Sequence, residues 1–289
     1  MTSLNCVIDS RDILGEGPVW DSRSGRLFWF DIKGKKLHWY APESGRNGTF
    51  DLPVRCSAAA PRARGGLIVA CENGLAEFDP GSGRLEMINP MPLGEGFRSN
   101  DGKIDVAGRF WWSSMDDNGG ARPGDLYCTG GDGFTEKVLE GIHIPNTISC
   151  SPEGDRLYVA DSKLATIFLH DMDPQTGALS NKRVFADTKA ADGAPDGSAV
   201  DVEGYLWNAQ WGAWRIVRYA PDGTIDRIVE TPIEQPSSCA FGGPDLATLY
   251  VTSAREDLSD EALARQPQAG GLFAFDPGVR GLPLPSFAG

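Results

Sequence analysis

Histidine is scarce in this chain of 289 residues: there are three, His38, His143 and His170. They are scattered, and none belongs to a His-Glu-x-x-His pair, which argues against a zincin-type protease. No Gly-x-Ser-x-Gly elbow occurs, so the serine-hydrolase reading is weakened. No glycine-rich phosphate loop leads from a strand into a helix, so nucleotide use is not indicated. The six cysteines form no Cys-x-x-Cys and have no histidine at zinc-finger spacing, and they read as reduced, mostly buried thiols. No window approaches the apolar length of a membrane span, and Met1 to Asp12 lacks a basic region followed by an apolar core; a cytoplasmic chain is expected. Positive charge is also in short supply. Lys and Arg total 27 against 40 Asp and Glu, for a net charge of −13. Nucleic acid and anionic membrane are therefore excluded as expected partners. The surplus carboxylates serve solubility, and some are free to hold a cation.

Turn formers are plentiful. There are 36 glycines and 20 prolines, and they fall at regular intervals rather than in tracts. Between them a short apolar strand recurs six times, marked by Leu27, Leu67, Phe110, Leu157, Leu206 and Leu249, at successive gaps of 40, 43, 47, 49 and 43 residues. Periods of this size mark solenoids, propellers or arrays. Aromatic and β-branched content in each copy selects strands, and helical periodicity is confined to Ser259–Arg265, with Ser259 as the cap. Most repeats carry a second strand, such as Lys36 to Tyr40 or Thr166 to His170, and several close on a Pro-to-Gly turn. The pattern predicts one all-β domain over 1–289, a six-bladed β-propeller with four antiparallel strands per blade. The N-terminal segment Cys6-Val7-Ile8 has no blade of its own. It is expected to complete the last blade beside Leu272 to Phe275, because an open sheet edge invites aggregation.

Radial repetition places residues of equal phase at equal height and radius. Ten or eleven positions before each marker stand Glu16, Cys56, Asn100, Asn146, Asp196 and Ser238. Four of the six carry a carboxylate or an amide oxygen, in loops studded with Gly or Pro. Asn, Asp and Gly are ordinary turn formers, so one such loop says nothing; the shared phase is the signal. Two carboxylates converging on one mouth call for a counter-ion, and oxygen donors suit Ca²⁺, Mg²⁺ or Mn²⁺, with Zn²⁺ and Fe²⁺ as borderline cases. His38 and His170 lie in outer-strand patterns and read as structural, whereas His143, three residues before Asn146, is a candidate to line the mouth. Trp112, Tyr127, Trp211 and Trp214 are candidate pocket walls, although aromatics in propellers more often serve the core.

The loops Leu14-Gly15-Glu16-Gly17-Pro18-Val19-Trp20, Arg98-Ser99-Asn100-Asp101-Gly102-Lys103, Ile144-Pro145-Asn146 and Pro195-Asp196-Gly197-Ser198 resemble the signature loops of the gluconolactonase/regucalcin (senescence marker protein) family. The stretch Cys239 to Gly243 and the segment from Arg265 to Phe273 resemble it too, so the likeness spans nearly the whole chain. The resemblance implies a six-bladed propeller and a metal-dependent hydrolase that opens a sugar lactone to the aldonic acid. It implies one divalent cation held by Glu16, Asn146 and Asp196; Asp196 is then the candidate general base, with attack by a metal-bound hydroxide as the alternative. Asn100 and Arg98 would meet the substrate, and Asp101 would support their loop. Some relatives carry a substrate-contacting Glu shortly after a Met in the third blade; here Met115 is followed by Asp116-Asp117-Asn118, so that contact is altered or missing. The expected partner is a small sugar lactone, and the expected state is a monomer. The alternatives are a phosphotriesterase-like hydrolase using the same axial metal and a non-enzymatic calcium-binding propeller.

Overall fold

A computed structural model of the chain describes residues 4–289. Each sequence repeat forms one four-stranded antiparallel sheet, and six such sheets form a six-bladed β-propeller. The innermost strands are Gly15–Asp21, Cys56–Pro61, Phe97–Ile104, Pro145–Cys150, Ala194–Val200 and Pro236–Gly242, in blades 1 to 6. Each packs against its neighbours around the ring.

Burial explains the patterning of each blade. The second strand lies between adjacent blades and is covered on both faces, so Leu67–Cys71 and Phe110–Asp116 are buried throughout. Near-continuous apolar runs are the sequence form of such strands. The outermost strand has one wet face and alternates, as in Arg84–Pro90. Blade 6 closes the ring as expected: Asn5–Ile8 pairs antiparallel with Leu272–Phe275, Asn5 opposite Ala274 and Cys6 opposite Phe273. The only α-helix among the described residues is Asp260–Arg265, and Ser259 caps it by accepting from the Ala262 N–H. No helix among the described residues is long and apolar enough to cross a membrane.

The turns after the innermost strands of blades 3 and 5 share a device. Asp105 accepts from the backbone N–H groups of Ala107 and Arg109 and from the Trp111 indole at 2.8 Å. Asp201 does the same with Glu203, Tyr205 and Trp207, and adds Arg218 at 2.7 Å. Each carboxylate thus pins a turn and a core tryptophan together at the far end of the axial channel. Over that end the C-terminal segment runs as a strap. It is tied at one side by Gly281 N–H to the Leu246 carbonyl and at the other by Phe287 to Pro61 and Ala63.

Candidate active site

Every innermost strand breaks its ladder at the same height. The register shifts fall between Glu16 and Val19, Cys56 and Ala58, Ser99 and Gly102, Asn146 and Ser149, Pro195 and Ser198, and Pro236 and Ser238. A β-bulge re-aims the side chains around it. Here the six bulges ring one mouth of the channel and bring together buried Glu16, Asn100, Asn146 and Asp196. Gly17 makes the packing possible: it has φ of 58°, and a Cβ there would run into the Ser57 carbonyl of the next blade. In blades 2 and 6 the phase position is off by one. Cys56 turns into the blade against Cys71 rather than to the mouth, and Ser57 takes the bulge, its hydroxyl donating to the Ser99 hydroxyl at 2.8 Å. In blade 6 Ser237 donates to the Gly15 carbonyl, while Ser238 stays in the ladder opposite Thr252.

A polar relay runs around the mouth. The Asn100 amide donates to the Asn146 Oδ1 and to the Pro145 carbonyl, both at 2.9 Å. Asn146 donates to the Ser162 hydroxyl at 2.9 Å, and Ser162 to the Pro195 carbonyl at 2.6 Å. The Asp196 carbonyl accepts from Thr147 at 2.6 Å and from Asn208 at 2.9 Å. Asp101 is buried and accepts the backbone N–H of Gly102 at 2.8 Å and of Ile148 at 2.9 Å. It thereby ties the loop of blade 3 to blade 4. Arg98 donates to the Asn100 Oδ1 at 2.6 Å and to Asp117 at 2.7 Å.

Of the residues behind Arg98 the sequence pointed only to the segment Asp116-Asp117-Asn118, and not to Lys33, Arg55 or Glu72. Asp117 receives Lys33 at 2.8 Å and Arg55 at 2.6 Å as well as Arg98, so one carboxylate serves three cations. Arg55 also meets Glu72 at 2.5 Å, and Lys33 meets Glu256 at 3.3 Å. All of these come from the mouth-side connections between strands, which lie outside the repeat phase. Burial alone would raise the Asp117 pKa, but hydrogen bonds from Lys33 and Arg98 outweigh it and bring the carboxyl to about 2. His143 stands at the edge of the mouth, its Nδ1 3.1 Å from Asp161.

Glu16 and Asp196 are the electrostatic anomaly. The Glu16 carboxylate takes a hydrogen bond from its own neighbour, the Gly17 N–H, at 3.1 Å. Burial, then the charge of Asp101, pushes its pKa up to about 8. Burial, then Glu16 and Asp101, raises Asp196 well above the carboxylate range. Two buried carboxylates whose pKa values are both raised by burial and by neighbouring carboxylate charge form a site short of positive charge. The donors on offer are two carboxylates and the Asn146 amide oxygen, a set that fits a hard divalent cation. Among the described residues no group of three or more His, Cys, Asp and Glu gathers as a metal cluster.

Lys103 forms the floor. It is carried inward by the innermost strand of blade 3 and crosses the channel to the carbonyls of Ser198 and Cys239. Burial lowers its pKa, and Asp101 and Glu16 oppose that shift. Beyond Lys103 lies a separate cavity of about 270 Å³, walled by Val19, Trp20, Ile104 and Phe241 and roofed by Leu282 to Ser286. Its lining does not include Glu16, Asn146 or Asp196.

Two expected walls are corrected. Trp112 is fully buried and Tyr127 nearly so; they stack at 4.7 Å inside the core between blades, and the Trp112 indole donates to Thr129. They belong to the second and third strands, which neighbouring blades cover. Trp211 is half-buried beside the cluster containing Leu14 and Ala254, and Trp214 is exposed.

The fold and this mouth define a class: a six-bladed propeller with buried carboxylates at one mouth of its axial channel. The comparisons with known proteins name it further. Residues 14–255 match the SMP-30/gluconolactonase/LRE-like region, and the chain belongs to that family. It is 40% identical to the L-arabinolactonase of Azospirillum brasilense, covering 97% of this chain and 94% of that protein. It is 35% identical to the 6-deoxy-6-sulfogluconolactonase of Pseudomonas putida, covering 99% of each. Among solved structures it superposes on a calcium-binding protein, regucalcin, from Agrobacterium tumefaciens with a TM-score of 0.94 at 34% identity, covering 99% of this chain and 97% of that one.

Proposed function

We propose that this chain is a carboxylic-ester hydrolase that opens a sugar lactone to its aldonic acid, using one divalent cation held by Glu16, Asn146 and Asp196. One observation carries the reading. Glu16 and Asp196, from blades 1 and 5, are buried close enough for one charge to act on the other, and among the described residues neither carboxylate makes an ion pair; this supports a cation held by them and by the Asn146 amide oxygen. The lactonase names of the relatives support the chemistry, and the calcium-binding neighbour supports the ion.

A cation in this position would polarise the lactone carbonyl and stabilise the charge that develops on its oxygen. The chain supplies the rest. Asp196, at the mouth and desolvated, accepts a proton from the attacking water. Burial and Glu16 raise its proton affinity, and a cation lowers it, so the balance of the two sets its strength as a base. Arg98 presents a guanidinium donor and Asn100 its Oδ1 acceptor to the ring hydroxyls, and the relay through Asp117 and Asn146 holds them in place. Lys103 closes the floor, so the substrate enters and the product leaves by the same mouth.

The test uses protein stripped of metal and reconstituted with Ca²⁺, Zn²⁺, Mn²⁺, Mg²⁺ or Fe²⁺ one at a time. Each form is assayed on pentono- and hexonolactones, with organophosphate triesters alongside. The expected result is lactone hydrolysis that depends on added metal and little turnover of the triesters. Full lactone hydrolysis by the stripped protein would overturn the metal assignment. Tight Ca²⁺ binding without turnover of any lactone would overturn the enzymatic reading.

A further inference from the structure

Two thiols meet in blade 2. Cys56 on the innermost strand and Cys71 on the second strand are direct partners across the antiparallel ladder. Their sulfurs are 3.1 Å apart. Directly opposed residues of an antiparallel pair have Cα atoms about 4.5–5.5 Å apart, inside the span a disulfide bridges. Both side chains are buried, at 1% and 0% exposure, so packing already holds the sulfurs together without a bond.

We propose that Cys56 and Cys71 are an oxidative modification site, converted by hydrogen peroxide into a cross-strand disulfide that staples the mouth end of blade 2. In the first step one sulfur attacks a peroxide oxygen. An S–O bond forms, the O–O bond breaks, and the departing hydroxide takes the thiol proton and leaves as water. In the second step the other sulfur attacks the sulfenic sulfur. The S–S bond forms, the S–O bond breaks, and the second thiol proton leaves with the hydroxyl as another water. Two thiols are oxidised and one peroxide is reduced to two waters. Burial, followed by the hydrogen bond and charge of Cys71, pushes the Cys56 thiol well up, so the pair reacts slowly.

The position gives the bond a consequence. Arg55 and Glu72 are the next residues along the two strands. They close the hairpin end through the Glu72 N–H on the Arg55 carbonyl at 2.9 Å. The Arg55 side chain reaches Asp117, which anchors Arg98. A staple one residue away stiffens the backbone from which that anchor hangs.

The test needs only the wild-type protein. Folded protein is incubated with hydrogen peroxide, quenched, unfolded and alkylated, then mapped by mass spectrometry without reductant. The expected product is lighter by about 2 Da. Two of the six cysteines are protected from alkylation, and a single cross-link joins the Cys56 and Cys71 peptides. Dithiothreitol reverses it, and the oxidised protein melts at a higher temperature than the reduced one. Cys71→Ser should abolish the cross-link and the rise in Tm together. Six alkylatable thiols after oxidation would overturn the proposal. So would a cross-link to any other cysteine, or sulfinic acid at Cys56 in place of the bond.

Discussion

The two ends of the axial channel are built from the same six strands and answer opposite demands. At the bulged end Glu16, Asn100, Asn146 and Asp196 are buried with their polar atoms facing shared space. At the far end the walls are Val19, Trp20, Ile104 and Phe241, and the strap closes over them. The carboxylates of the two ends show the contrast best. Asp105 and Asp201 at the strapped end are saturated by backbone N–H groups, an indole and an arginine. Glu16 and Asp196 at the open end are left short of donors; burial and the charge of Asp101 raise the pKa of Glu16, and burial, Glu16 and Asp101 raise that of Asp196. One end is satisfied and structural; the other holds unspent electrostatic demand, which is what a ligand site requires. Lys103 is the partition between them.

That contrast is broken most easily at Asp196. Asp196→Asn keeps the shape and removes one of the two buried charges. Metal affinity and lactone turnover should fall together, turnover by about a thousandfold. The metal-free variant should melt above the metal-free wild type, because it no longer buries a carboxylate beside Glu16 and Asp101. Isothermal titration, a lactone assay and a thermal melt check the three parts. A variant with full turnover would show that this end is as structural as the other.

The strapped end should respond in the reverse sense. Phe287 is 2% exposed and packs among Ala58, Ala60, Ile68, Phe110 and Trp112. Phe287→Ala is expected to cost about 3–5 kcal/mol of stability by denaturant unfolding. KM and kcat for a lactone should stay within about twofold of wild type while the protein is folded. A large change in KM at low denaturant would mean that the two ends communicate across Lys103.

Much of this division is visible before folding. The six strand markers and the unclaimed Cys6-Val7-Ile8 lead to a closed ring, because radial repetition leaves no other place for the spare strand. The phase argument brings Glu16, Asn100, Asn146 and Asp196 to one mouth, but it slips at Cys56 and Ser238, since a bulge adds a residue and moves the inward side chain by one. Trp112 and Tyr127 mislead because aromatic content reports burial without saying whether it lies between blades or at a pocket. Lys33, Arg55 and Asp117 leave no periodic trace: they sit on connections of unequal length, and only the folded ring carries them to Arg98. The strap is likewise illegible, because Leu282 to Ser286 follows neither the strand period nor the helix period.

The smallest expected effect tests whether charge on the mouth rim serves the site or the fold. Asp117→Asn leaves an oxygen for Arg98 but removes the charge that gathers Lys33, Arg55 and Arg98. If the cluster serves to aim Arg98, KM should rise more than kcat falls, with kcat/KM lower by about tenfold, or about 1.4 kcal/mol of transition-state stabilisation. Asp117→Glu should recover part of the loss. The acid limb of stability supplies the independent readout. The Asp117 pKa, brought to about 2 in the folded protein, lies below the unfolded value of about 3.9. Its contribution is therefore complete above about pH 4 and fades as pH falls towards 2, because the unfolded chain binds the proton first. The Asn variant should lack that component, and its stability should fall less steeply across the same interval. A variant with the altered acid limb but an unchanged KM would place Asp117 with Asp105 and Asp201 as a structural carboxylate, and the boundary between the two ends would have to be drawn inside the rim, at Asn100.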